Sequence, residues 1–312
     1  MLVAVLIANP DRPSITDAVL AETRAVLRTE HQPRILHGEV AAELLVPGEP
    51  GAAASLTERL RNALAGEPID LAVLPADAHR RKRLFLADMD STMIEQECID
   101  ELAGTLGLKD SDSRHLVKGA LGLKDHVAAI TERAMRGEIA FEPALRERVA
   151  LLKDIPVGVV DGLIAERLTL TPGGRTLVQT MRAHGVHTCL VSGGFTLFTG
   201  PISAMIGFHE HRSNVLSVAE GRLTGTVEDP VVGQAEKRAT LIGLRGTLGL
   251  APAATLAVGD GANDLDMLAE AGLGVAFRAK PAVAAAAHVR VEHGDLSALL
   301  YLQGYAAAEL VG

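Results

Sequence analysis

Three short apolar runs along this chain each end in a polar cluster: LFLA (84–87), HTCLV (187–191) and TLAV (255–258). Short apolar runs bounded by turn and polar residues read as buried strands. Helical patterns separate them. Thr171-Pro172-Gly173-Gly174 starts one that continues through about Ala183, and residues 234–247 form another. Strands alternating with helices predict a parallel, doubly wound α/β sheet. In such a sheet, ligands bind beyond the carboxyl ends of the strands. Polar groups that end the three runs are therefore gathered at one edge.

The remaining chain adds two further units. A length of 312 residues predicts two domains, with room for a third small one. LVAVLIA (2–8) reads as a buried strand, Asn9-Pro10-Asp11 as a turn and Ile15 to Leu27 as an amphipathic helix. Val46 to Ala54 reads as loop, 55–65 as a helix and LAVL (71–74) as a strand. The basic run Arg80-Arg81-Lys82-Arg83 reads as a solvated linker face, which bounds a small N-terminal α/β domain at 1–80. Residues 94–165 are mostly helical and charged, and they interrupt the alternation just after its first strand, as an inserted cap does. The core domain is then 81–93 together with 166–312. Val215–Val218 and Leu223–Val227 flank Ala219-Glu220-Gly221-Arg222, a hairpin signal. The pentapeptide LGLKD occurs at 106–110 and again at 121–125, but two copies do not make a solenoid.

Composition narrows the partners. Asp plus Glu outnumber Lys plus Arg, 39 to 30, and no basic stripe stands out, which argues against nucleic acid. The chain has no Trp and few other aromatics, so it lacks stacking platforms for single strands. No stretch is apolar and long enough to span a bilayer, and Met1–Pro10 lacks the basic lead-in of a signal peptide. Cys98 and Cys189 have no zinc-site spacing and cannot build a disulfide framework; they read as reduced thiols in a cytoplasmic protein.

The strand ends carry the chemistry. Asp88-Met89-Asp90-Ser91-Thr92 puts two carboxylates two residues apart, on one side of an extended segment. Such carboxylates repel unless a cation or shared proton relieves them, and Mg²⁺ favours oxygen clusters. Turn or N-cap aspartates are the plainer alternative. Ser192-Gly193-Gly194 offers a hydroxyl and, at a helix start, free N–H groups for an anion; a Ser cap with turn glycines is its plainer alternative. Gly259-Asp260-Gly261-Ala262-Asn263-Asp264 ends the third run, without the longer ligand series of a calcium loop. A cation-binding acidic cluster beside an anion-binding cluster suits a phosphoryl group bridged by a divalent cation. Lys237 is the candidate for the positive charge that the phosphoryl oxygens require, and a solvated helix lysine is the alternative.

These four ordered motifs (DMDST, Ser192-Gly193, Lys237 and GDGAND) resemble those of the haloacid dehalogenase superfamily of aspartate-nucleophile phosphatases. DMDSTMIEQECIDELA (88–103), AMRGEIAFEPALRERVALLK (134–153), VSGGF (191–195) and GDGANDLDML (259–268) are similar to the branch that hydrolyses O-phosphoserine in serine biosynthesis. The similarity spans roughly residues 84–300. It implies a Rossmann-like core with a helical cap, and Mg²⁺ as cofactor. Asp88 is implied as nucleophile and Asp90 as general acid, then base. Asp88, Asp260 and the backbone carbonyl of Asp90 are implied as Mg²⁺ ligands. Ser192, Gly193, Lys237 and Asn263 are implied at the phosphate, with Asp264 in the outer shell. In the cap, Glu97 would meet the substrate ammonium, Arg148 its carboxylate, and Met135 and Phe141 would shield the site.

Two stretches depart from the branch. Residues 106–125 look about fifteen residues longer than its usual cap, with Ser111 to Ala120 expected as a loop or extra turn near the cap entrance. Asn9-Pro10-Asp11-Arg12-Pro13 weakly resembles the first turn of amino-acid-binding ACT modules; homo-oligomerisation or an accessory role fits residues 1–80 equally. A phosphotransferase, a phosphatase for another small ester and a non-catalytic amino-acid sensor stay open as alternatives.

Overall fold

A computed structural model describes residues 1–105 and 116–312. The chain opens with β1 (Leu2–Ala8), α1 (Asp17–Leu27), β2 (Arg34–His37), β3 (Ala41–Val46), α2 (Ala53–Ala63) and β4 (Ile69–Pro75). Its four strands form an antiparallel sheet in the order β2-β3-β1-β4. Every residue of β1 is buried, because both sheet faces are covered. Leu2, Leu6, Leu44 and Val73 pack with Leu20 and Leu60 of the two helices. On the other face, Val3, Val5, Ile7 and Ala41 share one apolar cluster with Leu299, Leu300 and Tyr301 near the chain end.

The chain then forms β5 (Leu84–Ala87), α3 (Cys98–Gly104), α4 (Leu116–Met135), α5 (Phe141–Ala150), α6 (Val159–Glu166) and α7 (Gly174–Ala183). Next come β6 (His187–Phe195), α8 (Thr196–Ile206), β7 (Glu210–Asn214), a hairpin of β8 (Leu216–Ala219) and β9 (Arg222–Val227), and α9 (Gln234–Thr247). β10 (Thr255–Gly259), α10 (Leu265–Glu270), β11 (Leu273–Phe277), α11 (Pro281–Ala286), β12 (Val289–Val291) and α12 (Ala298–Leu302) complete it. Six of these strands form a wholly parallel sheet, β12-β11-β10-β5-β6-β7. The first core strand, β5, sits centrally, with β6 on one side and β10 on the other. That strand-order reversal brings the carboxyl ends of β5, β6 and β10 together.

The helical segment leaves and re-enters the core through paired backbone. Ile94 bridges Leu170, Glu95 N–H donates to Thr169 O (3.0 Å) and Thr171 N–H to Met93 O (3.0 Å). The β8–β9 hairpin adds a second tie. Asp154 N–H donates to Leu223 O, Leu223 N–H to Ile155 O and Val157 N–H to Gly221 O, each 2.9 Å.

Some expectations need correction. The stretch expected as loop from Val46 begins inside β3 and gives way to helix from Ala53, and β2 and β3 were not foreseen. Glu43 explains part of that miss: it reads as polar surface but is buried, paired with Arg34 (2.8 Å) and Arg80 (2.6 Å). The basic run is solvated only in part: Arg81 and Arg83 are exposed, but Arg80 and Lys82 turn inward. Arg80 also donates to Leu302 O (3.1 Å), Arg81 pairs with Glu309 (2.7 Å) and stacks 4.1 Å over Tyr305, and Lys82 is buried, donating to Ala253 O (2.7 Å). Carbonyl groups at element ends need donors, and Arg80 supplies one at the end of α12 and Lys82 one just before β10. Of the extra cap stretch, residues 106–115 lie outside those described, so the expected loop at 111–115 does too; from Leu116 the backbone is helical.

Candidate active site

The leading cluster begins where β5 ends. Asp88 is extended (φ −68°, ψ 159°), and Met89–Met93 then close a single wide turn through Ile94 N–H to Met89 O (3.0 Å). Within the turn Asp90 is non-helical and Ser91 is left-handed (φ 54°). The two aspartates therefore reach one cleft through a turn, not through continued strand as expected. A left-handed non-glycine residue costs about 1 kcal/mol or more, and such strain concentrates at functional sites.

Lys237, in the first turn of α9, is wholly buried. Its Nζ lies 2.7 Å from Asp88 Oδ1 and 2.7 Å from Asp264 Oδ1. Met89 N–H also donates to Asp88 Oδ1 (2.8 Å), while no hydrogen bond to Asp88 Oδ2 occurs among the described residues. Asp264 Oδ2 accepts from the N–H groups of Asp260 (3.2 Å) and Gly261 (3.1 Å). Thr92 Oγ1 donates to Asp260 Oδ1 (3.2 Å). Gly259 permits the close approach: a Cβ there would lie 2.3 Å from Asp264 Cγ.

The electrostatics of this cluster are unbalanced. Oxygens of Asp88, Asp260 and Asp264 lie within 4.8 Å of one another, so three carboxylates crowd one ion-paired ammonium, Lys237, with the charge of Lys280 also acting on Asp260. Burial, with the charges of Asp264 and Asp260, pushes Asp88 well above the carboxylate range despite Lys237. Burial and Asp264 push Asp260 up to about 7. Burial alone would lower Lys237, but Asp264 and Asp88 outweigh it and hold the ammonium above its usual value. The cluster has an all-oxygen donor set and excess negative charge, so the residues fit a hard divalent cation.

The second strand end departs from expectation. β6 continues through Phe195 with a register shift after Val191, and α8 starts at Thr196, so Ser192 does not start a helix. Ser192 Oγ donates to Asp90 Oδ2 (3.1 Å) and accepts from Gly194 N–H (2.8 Å). Asp90 Oδ1 accepts from Cys98 N–H (2.8 Å), which ties the start of the cap to the core turn.

The cap closes over this edge. Ser91 Oγ donates to Glu97 Oε1 (2.7 Å), and burial, with Asp90 and Asp260 nearby, pushes Glu97 up to about 8. Arg148 is only 2 % exposed; burial lowers it, opposed by Glu97, Asp100 and Asp90. Phe141 sits against Gly193, where an added Cβ would lie 2.6 Å from Cζ. Met135 Sδ is equally close to a Cβ built on Gly261, at 2.7 Å.

Of the residues singled out in the sequence, Asp88, Asp90, Glu97, Met135, Phe141, Arg148, Gly193 and Asn263 line this one cleft. Ser192 touches Asp90, Lys237 touches Asp88, and Asp264 touches Lys237, while Asp260 completes the acidic cluster. Asn263 Oδ1 is buried and has no hydrogen-bond partner among the described residues. Sequence reasoning missed Ser91 and Thr92, whose only signal was their place beside the aspartates. It also missed Asp100 and Thr131, which sit on separate helices and meet only in the fold.

The haloacid dehalogenase-like hydrolase family model matches residues 85–269, more than half of the chain. A Streptomyces coelicolor phosphoserine phosphatase is 43 % identical over 259 residues, covering 81 % of this chain and 59 % of the relative. A Polaromonas phosphoserine phosphatase is 45 % identical over 225 residues, covering 70 % of this chain and 89 % of the relative. A solved haloacid dehalogenase family hydrolase from Salmonella enterica serovar Typhi superposes with a TM-score of 0.80 at 28 % identity, covering 97 % of this chain and 98 % of that one.

Proposed function

The chain belongs to the haloacid dehalogenase-like hydrolase family, and within it we propose that it hydrolyses O-phosphoserine to serine and phosphate. One observation carries the choice of ester. Glu97 and Arg148, an acidic and a basic side chain from the cap, line the same cleft as Asp88, which suits the ammonium and the carboxylate of a zwitterionic substrate. Relatives named phosphoserine phosphatase support the reading.

In this reading Asp88, whose Oδ2 accepts no hydrogen bond from the described residues, attacks phosphorus and forms an aspartyl phosphate. The bond to the serine oxygen breaks, and Asp90 supplies the proton to that oxygen. Asp90 then takes a proton from water as the water attacks phosphorus, and Asp88 is released with phosphate. One carboxyl group serves as acid and then base because the two steps need opposite proton transfers. Asp88, Asp260 and the Asp90 carbonyl would hold Mg²⁺, which offsets the charge repulsion between the carboxylate and a dianionic ester. Lys237 does the same at one oxygen of Asp88 and at the phosphoryl oxygens, with Ser192, Gly193 and Asn263 beside it. Asp264 holds Lys237 in place. Phe141 and Met135 exclude water until the serine has left.

Among the described residues no helix is long and apolar enough to cross a membrane. The two free buried cysteines support a reducing, cytoplasmic setting. Residues 1–80 are read as an accessory unit beside a core (81–93, 166–312) and cap (94–165).

Phosphate release from a panel of small phosphomonoesters, with and without Mg²⁺, tests the reading. Phosphoserine is expected to give the highest kcat/KM, only with Mg²⁺, and Arg148→Ala to lower it about 100-fold. Equal rates across the panel would move the assignment to another small ester, and no release at all to a sensor.

A further inference from the structure

Arg148 and Glu97 share one cleft, and direct pairing between them would cancel both of its charges. They do not pair, and neither Asp100 nor Asp90, the other carboxylates facing Arg148, contacts it directly. Instead Arg148 Nε donates to Ala144 O (3.0 Å) and Nη1 donates to Thr131 Oγ1 (2.9 Å). Thr131, on α4, is 3 % exposed. Its Oγ1 lies 2.8 Å from Asp100 Oδ1, on α3, and 3.0 Å from Val127 O. A hydroxyl has one hydrogen, and the carboxylate is the nearer and charged acceptor. That leaves an oxygen lone pair for Arg148. Three cap helices thus meet in the chain Asp100–Thr131–Arg148, and the remaining nitrogen, Nη2, makes no hydrogen bond to the described residues.

Resting on the reading that Arg148 takes the substrate carboxylate, we propose that Thr131 and Asp100 are positioning residues that set specificity for that carboxylate. They hold the guanidinium away from Glu97 and turn its free edge to the cleft. Thr131 fixes Nη1 and the Ala144 carbonyl fixes Nε, so two of the three nitrogens are held on a side chain that otherwise loses much rotamer freedom on binding. Specificity then comes from an orientation prepared before the substrate arrives.

The test compares O-phosphoserine with O-phosphoethanolamine, the same ester without the carboxylate, using the full chain with Mg²⁺. Thr131→Val should lower the ratio of the two kcat/KM values about tenfold, mainly through KM for phosphoserine, and Thr131→Ser should restore it. Asp100→Asn, which keeps an oxygen acceptor without the charge, should lower the ratio less. An equal change on both esters, or an unchanged ratio in Thr131→Val, overturns the proposal. If Thr131→Val does not fold, an unchanged ratio in Asp100→Asn overturns it instead. Arg148→Ala separates the two ideas. If it leaves the ratio intact, the reading of the cleft fails. If it collapses the ratio while Thr131→Val does not, only the positioning role fails.

Discussion

Asp88, Asp260 and Asp264 crowd three carboxylates against the one ammonium of Lys237, and this imbalance has a measurable consequence. Folding raises the pKa of Asp260 to about 7 and that of Asp88 well above its usual value, by burial and mutual repulsion. A carboxyl group raised on folding binds more protons in the native than in the unfolded state. Its stabilisation is therefore complete below the unfolded pKa and is lost as pH rises through the folded one. Without metal, stability should fall between about pH 4 and pH 7 on this account. A cation binds the ionised cluster, so Mg²⁺ should raise the thermal midpoint more at about pH 8 than at about pH 5, as scanning fluorimetry would read. An equal rise at both would contradict it. Glu97 carries a second pH signature. With its carboxyl held up at about 8 it is mostly neutral at pH 7, so kcat/KM for phosphoserine should climb as pH approaches 8. Glu97→Gln should flatten that climb. A phosphate ester without an ammonium group should lack the part of the climb that Glu97→Gln removes.

Single elements decide how these residues converge. The β5, β6 and β10 ends were legible because short apolar runs stop abruptly at Asp88, Ser192 and Gly259. The backbone after each run was not. The wide turn at Met89–Met93 depends on tertiary closure through Ile94, and the extension of β6 to Phe195 depends on pairing with Asn214. Neither has a local period that a sequence pattern reports. The glycine at 193 belongs to this scale as well. A Cβ there would meet Phe141 at 2.6 Å, so Gly193→Ala should hold the cap off the core. The expected result is a loss of about tenfold or more in kcat/KM, because small misplacements of reacting groups carry large rate costs. Removing Phe141 in the same chain should recover part of it, and a steady-state double-mutant cycle measures the coupling. Strict additivity would mean that the steric contact is not the cause.

Across the whole molecule, the N-terminal sheet is fastened to the core by groups that looked like ordinary surface. Asp70 accepts from the N–H groups of Glu292 (2.7 Å), His293 (3.1 Å) and Gly294 (2.7 Å), and Asn9 donates to His293 O (2.9 Å). Arg80 reaches Glu43 and Leu302, and His37 lies 2.6 Å from the Tyr301 hydroxyl. These partners lie more than two hundred residues apart in several cases, which is why the pairing of Arg80 and the burial of Lys82 were not legible in the sequence. Asp70→Ala leaves the buried Gly294 N–H and the part-buried N–H groups of Glu292 and His293 without their acceptor and should cost about 2 kcal/mol in denaturant unfolding. A loss within experimental error would show that the two sheets are only loosely attached. Transient transfer of the phosphoryl group to Asp88 is the step on which the proposed hydrolysis depends. The direct measurement is acid-quenched single turnover with phosphorus-labelled phosphoserine, followed by peptide mapping. Label is expected on the peptide containing Asp88, lost in Asp88→Asn and decaying at the rate of phosphate release. Free labelled phosphate appearing at full rate while that peptide never carries label would contradict it.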